Sequence, residues 1–277
     1  MKSASQAAAR FKAIALECGA SACGVAAAGD LAEFGRFAAA AGAAPAGLAY
    51  LNREPLKRKN IGNWCPGAAS ALVCAFSYWA PERDYAAALS GVGAPAAYLK
   101  SSGRKVHQPE LTDAPGAKIS RYALDRDYHL IVREKLGRIL EALKKEFPGT
   151  EGKLFCDTAP VMEKELARLA GLGFRGKNTL VVSPELGSWF FIGGLALNAA
   201  LEPDRPCGGE CGSCDRCVAA CPAGALAGGA LDAGRCLSYW TTQAKEKIPE
   251  PLARLSGGWV YGCDICQEVC PYNEEPR

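Results

Sequence analysis

The sequence predicts a layered α/β domain over residues 1–202, followed by a small cysteine-rich domain over residues 203–277. Three observations carry that reading. Through the first 200 residues, stretches with helical periodicity alternate with short apolar runs of strand length, the pattern of helices laid on a sheet. Beyond Pro203 the text turns to short Cys- and Gly-rich pieces. The charge changes sign at the same place: residues 203–277 hold 7 Lys and Arg against 10 Asp and Glu, so the overall net charge of +3 leaves +6 on residues 1–202.

Taken in order, residues 5–19 set Ala8, Phe11, Ile14 and Ala15 at helical spacing and stop at Gly19, which predicts a helix with a glycine terminus. Residues 22–28 predict a short strand, residues 31–41 a second helix, and residues 71–78 (ALVCAFSY) a buried strand. Residues 81–116 are rich in Ala, Gly and Pro without periodicity and predict a long loop or lid. The clearest helix covers residues 127–147, with Leu130, Ile131, Leu136, Ile139, Leu140 and Leu143 on its apolar side. A strand at 153–156, a helix at 161–170 closed by Gly171, and strands at 180–182 and 189–192 complete the alternation. In the second part only residues 232–255 offer a helix-sized interval.

Composition bounds the function. Apolar residues at 49% and charged residues at 22% describe ordinary globular chemistry and exclude a disordered or fibrous chain. A net charge of +3 announces neither a nucleic-acid nor a membrane partner by itself. The longest uncharged run, residues 60–81, contains Asn60, Asn63, Pro66, Ser70 and Ser77 and does not read as a membrane span. Arg10, Lys12 and Glu17 interrupt any signal-peptide core, so a cytoplasmic location is expected. No GxGxxG and no Walker loop is present, so nucleotide sites of those kinds are not indicated.

The 14 cysteines are the anomaly. Nine of them lie between Cys207 and Cys270, several at gaps too short for a disulfide framework and well suited to metal ligation in a reducing compartment. One run reads Cys211-x2-Cys214-x2-Cys217-x3-Cys221-Pro222; the other reads Cys263-x2-Cys266-x3-Cys270-Pro271, with Cys236 upstream. This is the spacing of bacterial two-cluster ferredoxins, in which the fourth Cys of a run ligates the other cluster. Three thiolates at x2 spacing wrap one cluster, and the x3 step before Pro turns the last thiolate toward a neighbour. The expected sets are therefore Cys211, Cys214, Cys217 and Cys270 on one [4Fe–4S] cluster, and Cys221, Cys236, Cys263 and Cys266 on the other. Two four-thiolate zinc sites would use as many cysteines, but they favour paired CxxC knuckles. Cys207 reads as a spare, and Cys18, Cys23, Cys65, Cys74 and Cys156 as small buried hydrophobes. Two clusters move electrons and seldom transform a substrate alone, so the first domain must hold a cofactor, a substrate or a docking partner. Haem ligation by His107 or His129 is conceivable, though a surface or capping role is the plainer reading of His129.

Further segments stand in a fixed order: KISRYA at 118–123, RDYH at 126–129, DTAP at 157–160, AGLGFRGKN at 170–178, GSWFF at 187–191, the Cys211 run, CLSY at 236–239, and YGCD at 261–264 leading to Cys270-Pro271. In combination they resemble the epoxyqueuosine reductases over roughly residues 10–273. The resemblance implies a cobalamin- and iron–sulfur-dependent enzyme that reduces the epoxide of epoxyqueuosine in tRNA to the alkene of queuosine, with loss of the oxygen as water. It implies a base-off cobalamin held between an α/β domain and a two-cluster ferredoxin-like domain, with electrons arriving through the clusters one at a time. Asp157 matches the family's acid. Arg58, Tyr122, Asp157, Asn178, Val181, Ser188 and Asp264 fall in its corrin-contacting segments, and neither histidine does. The implied partners are tRNA and an electron donor such as flavodoxin or ferredoxin, with no membrane. Members of the family continue past the second Cys run into a helical-repeat domain, so this sequence, which ends at Arg277, reads as a short form. The alternatives are a corrinoid iron–sulfur reductase acting on a non-tRNA epoxide or halide, and an electron-transfer ferredoxin whose large domain docks partners.

Epoxide removal takes two electrons and a proton donor. Asp157 sits between Phe155-Cys156 and Ala159-Pro160-Val161, an apolar setting expected to raise its pKa. The competing reading is that Asp157 caps the helix expected from residue 161. Arg53, Lys57, Arg58, Lys59, Arg121, Arg126 and Arg133 are candidate phosphate contacts, against the plainer reading of a solvated face.

Overall fold

The computed structural model describes residues 3–81, 95–111 and 116–274. The first part contains helix α1 (Ala4–Glu17), strand β1 (Ala22–Ala27), helix α2 (Phe34–Gly42), the short helices α3 (Pro55–Lys59) and α4 (Ile61–Trp64), and strand β2 (Ser70–Ser77). It continues through α5 (Pro95–Ser101), β3 (Lys118–Ile119), α6 (Tyr128–Glu146), β4 (Gly152–Phe155), α7 (Glu163–Leu169), β5 (Phe174–Arg175), β6 (Val181–Val182) and β7 (Phe190–Leu197). The second part holds α8 (Arg216–Ala220), β8 (Leu226–Ala227), β9 (Ala230–Leu231), α9 (Leu237–Thr242), α10 (Glu250–Arg254), β10 (Trp259–Tyr261) and α11 (Ile265–Glu268).

The main sheet has the order β1-β2-β7-β4, and every neighbouring pair in it is antiparallel. The helix–strand alternation of the sequence is thus real, but it builds an antiparallel sheet covered on both faces. β2 shows why its sequence is apolar throughout. Successive side chains point to opposite faces, so Leu72, Cys74 and Phe76 pack with Phe11 of α1 and Leu136 and Ile139 of α6. Ala71, Val73 and Ala75 pack with Leu166 and Ala167 of α7 on the other face.

α1 opens on a capping box in which the Ser3 hydroxyl accepts from the Gln6 N–H and the Gln6 side chain accepts from the Ser3 N–H, and the chain leaves the helix through Gly19 at φ +95°. α6 buries Val132, Leu136, Ile139, Leu140 and Leu143 at steps of three and four. Leu130, expected on that side, is 52% exposed, because at about 100° per residue it lies on the far side of the helix from the buried Val132.

Three further expectations change. Of the expected loop at 81–116, residues 82–94 and 112–115 lie outside the described residues. Pro95–Ser101 is helical, with Leu99 sealed against Ile119, Ala123 and Val260. The interval 232–255 is two short helices rather than one, since Pro249 and Pro251 cannot sit inside a helix but suit the start of α10. The strand expected at 189–192 extends through Leu197.

The two parts are sewn together. β10 pairs in parallel with β3. Asp204 accepts from Lys12 Nζ at 2.6 Å and from the Val25 N–H at 2.8 Å. Gly187, at φ +61°, turns the chain beside Asn273. Asn273 Oδ1 accepts from the Ser188 N–H at 2.6 Å, and its amide donates to Ser188 Oγ at 2.9 Å and to the Gln267 carbonyl at 2.8 Å. Among the described residues no helix is long and apolar enough to cross a membrane.

Candidate active site and cluster ligands

Asp157 follows β4 directly and adopts a left-handed φ of +56°, rare for a residue with a side chain. The next amide closes a tight turn, Thr158 N–H to the Cys156 carbonyl at 2.6 Å. His129 faces it from the first turn of α6. Asp127 caps that helix by accepting from the His129 N–H at 2.9 Å, and the same oxygen lies 2.8 Å from His129 Nδ1. The remaining ring nitrogen, Nε2, is 3.1 Å from Asp157 Oδ2. The Tyr128 hydroxyl also donates to Asp157, and its ring stacks on Phe191 at 4.4 Å.

With a carboxylate at each nitrogen, led by the hydrogen bond to Asp157, the imidazole is held protonated above its ordinary range. The reciprocal effect corrects the expectation for Asp157. Its bond from His129 holds the carboxyl below the usual carboxylate range, outweighing burial, and its side chain is 59% exposed toward the cavity. Nor does it cap a helix: α7 begins at Glu163, after Met162, with no side-chain cap. The Glu163 carboxyl feels the Asp157 backbone N–H, its Oε1 is buried without a partner, and burial followed by the Asp157 charge pushes it up to about 8.

These groups open on a cavity of about 670 Å³. Its lining includes Tyr78, Tyr122, Tyr128, His129 and Asp157 together with Cys221, Cys236, Cys263, Asp264, Cys266 and Gln267. Asn178 and Ser188 line it as well. Asp264, 1% exposed, accepts from the Ser120 hydroxyl and from the Arg121 N–H, the latter at 2.7 Å. Asn178 Oδ1 accepts from the Leu180 N–H at 3.2 Å, and Ser188 Oγ donates to Gln267 Oε1 at 2.9 Å. Two of the expected corrin contacts stand elsewhere. Val181 is packed into the core of the sheet. Arg58 lays its guanidinium over Phe37 at 5.5 Å, with its Nε buried and unpartnered.

The cysteines of the two runs lie close enough to feel one another's charge, and Cys266 also feels Cys217. Cys217 feels the charges of Cys211 and Cys270, and Cys270 those of Cys211 and Cys214. Cys263 feels Cys236 and Cys221, and Cys266 feels Cys263 and Cys236. The Lys177 N–H points at Cys211 Sγ and the Ala225 N–H at Cys221 Sγ, both at 3.3 Å, the outer hydrogen bonds that tune cluster thiolates. Cys207 Sγ turns to the Gly208 carbonyl. Of these cysteines, Cys221, Cys236, Cys263 and Cys266 line the cavity.

The expected phosphate contacts are largely committed. Lys57 pairs with Glu54, Lys59 with Asp30 and Arg126 with Glu134, while Arg133 donates to Thr158. Sequence reasoning passed over Tyr128 and Glu163, and weighed His129 only as a haem ligand or a surface or capping group. The signal for Tyr128 and His129 was present: an aspartate two residues before a histidine at a helix start positions that imidazole.

Comparison with known proteins now bears on these features. Residues 210–273 match the 4Fe-4S double cluster binding domain, a span holding all eight cysteines of the two expected sets and leaving Cys207 outside. Residues 58–158 match the family model for epoxyqueuosine reductase QueG, DUF1730. An epoxyqueuosine reductase of Synechocystis sp. is 36% identical over 220 residues, covering 79% of this chain and 67% of that protein. The chain spans about half the length of most other curated relatives it matches. The structure of epoxyqueuosine reductase from Streptococcus thermophilus superimposes with a TM-score of 0.78 at 29% identity, over 96% of this chain and 66% of that one. A crystal structure of epoxyqueuosine reductase with an epoxyqueuosine-modified tRNA-Tyr stem loop gives 0.74 at 28% identity, over 96% and 65%.

Proposed function

The chain belongs to the epoxyqueuosine reductase family, and from that premise we propose that it reduces epoxyqueuosine to queuosine in tRNA. One observation carries the reading: a single cavity is lined both by Asp157 and by Cys221, Cys236, Cys263 and Cys266. Cobalamin in that cavity, reduced through two [4Fe–4S] clusters, would supply the two electrons that epoxide removal takes.

The walls suit such a guest. Tyr122, Asp157, Asn178, Ser188 and Asp264 would hold it, with Arg58 and Val181 supporting those segments from behind. Both nitrogens of His129 already face carboxylates, so this imidazole is not free to ligate cobalt, in keeping with a base-off corrinoid. Asp157 and His129 share one proton. Asp157, exposed to the cavity and oriented by His129 and Tyr128, delivers it to the leaving oxygen. Cys211, Cys214, Cys217 and Cys270 would hold the outer cluster, facing an electron donor such as flavodoxin or ferredoxin. The division into residues 1–202 and 203–277 assigns substrate and corrinoid to the first part and electron delivery to the second. A tRNA substrate sets the reaction in the cytoplasm.

The test is anaerobic incubation of protein loaded with clusters and cobalamin with an epoxyqueuosine-containing anticodon stem loop and a one-electron reductant. Mass spectrometry of the nucleosides should show loss of one oxygen. A fully loaded protein that leaves the stem loop unchanged, yet reduces a small epoxide or halide, would establish the non-tRNA alternative instead.

A further inference from the structure

Reducing an epoxide to an alkene breaks two C–O bonds and forms one C=C π bond. The oxygen leaves as water only after taking two electrons and two protons. The electrons come from an external one-electron donor through the clusters. The Asp157–His129 pair holds one proton, so a second must come from elsewhere.

The Glu163 carboxyl lies close enough to Asp157 to feel both its backbone N–H and its charge. Its Oε1 is sealed from solvent without a partner, alone among carboxyl oxygens of the described residues. An ionised carboxylate with an unpaired buried oxygen is costly, whereas a neutral acid in that place is a donor awaiting an acceptor. The charged and titratable groups around it are Asp157, His129 of α6, Arg58 of α3, Cys156 just after β4 and its neighbour Lys164. His129 and Arg58 favour ionisation; burial and the Asp157 charge oppose it and prevail, pushing the carboxyl up to about 8.

We propose that Glu163 is the second proton source of the site, a neutral carboxylic acid that refills Asp157 once Asp157 has protonated the leaving oxygen. The proposal rests on the epoxide reduction read above. The first proton leaves the Asp157–His129 pair. Glu163 then passes its proton to Asp157, which delivers it to the departing hydroxide, and water in the cavity restores both protons after release. Glu163 acts through Asp157 and touches no substrate.

Two measurements decide it. Infrared spectra of the protein without substrate should show a protonated-carboxyl band at pH 7 that titrates away near pH 8 and is missing in Glu163→Gln. Single-turnover rates on the stem loop should fall above about pH 8 in the wild type. Glu163→Gln should lower the rate roughly tenfold or more and lose that alkaline limb, while Glu163→Asp recovers part of both. If Glu163→Gln does not fold, the band and the limb in Glu163→Asp serve the same purpose. A wild type without the band, or a Glu163→Gln variant with wild-type rate and pH profile, overturns the proposal. A protein that shows the band but leaves the epoxide intact overturns the functional reading; one that reduces the epoxide without the band overturns this proposal alone.

Discussion

Replacing Gly187 by alanine should loosen the seam between the sheet and the cysteine-bearing segment. An added Cβ would lie 2.0 Å from Asn273 Oδ1 and 2.6 Å from the Tyr272 carbonyl oxygen, and φ at this position is +61°. Holding a residue with a side chain in that left-handed conformation costs about 1–2 kcal/mol. To relieve the clash Asn273 must withdraw from Ser188 or Gln267, all three being buried, and one unpaired buried group costs about 1–3 kcal/mol. The sum is about 3 kcal/mol, which for a chain of this size lowers the melting temperature by roughly 6–12 °C. Anaerobic thermal unfolding of the cluster-loaded protein, followed by circular dichroism, measures it directly. A midpoint within about 2 °C of wild type would show that the turn relaxes freely and that the seam is not held there.

Asp157→Asn should keep clusters and corrinoid but lower turnover ~10²–10⁴-fold, the usual contribution of a positioned general acid; a near-normal rate would put the acid elsewhere. Cys270→Ser should remove the cluster held with Cys211, Cys214 and Cys217, leaving about half of the iron and sulfide. Loss of the cluster at Cys263 and Cys266 instead would reverse the interleaving. Glu163 also sets a pH dependence of stability. Its value rises from 4.5 to about 8 on folding, so the folded chain binds the extra proton in that window. Its stabilising effect is complete below pH 4.5 and is lost as the pH rises through about 8. The urea midpoint of Glu163→Gln should therefore gain on wild type between about pH 5 and pH 8.5, and a constant difference would contradict the assignment.

What the sequence disclosed was local. The double-cluster domain is written in Cys spacings of two and three residues, and α1 and α6 in steps of three and four, so both could be read without neighbours. β2 was legible as a buried strand because both of its faces are covered, yet nothing in ALVCAFSY names its antiparallel partners. The acid site was half legible. DTAP located Asp157, but its low pKa comes from His129, 28 positions earlier, across a contact that only the packing of α6 against β4 creates. Arg58 and Val181 matched by segment and stand outside the cavity, since a motif fixes the course of the backbone more firmly than the direction of each side chain.

The pairing of β10 with β3 has a consequence for maturation. β10 ends at Tyr261, two residues before Cys263, and α11 carries Cys266. The strand that closes one side of the cavity is thus continuous with ligands of the inner cluster. Because metal binding and folding share one free energy in such segments, cluster ligation by Cys263 and Cys266, as proposed, would complete the part of the cavity lining that they and Tyr261 supply. Stripping iron with a chelator should therefore lower corrinoid retention as well as cluster content.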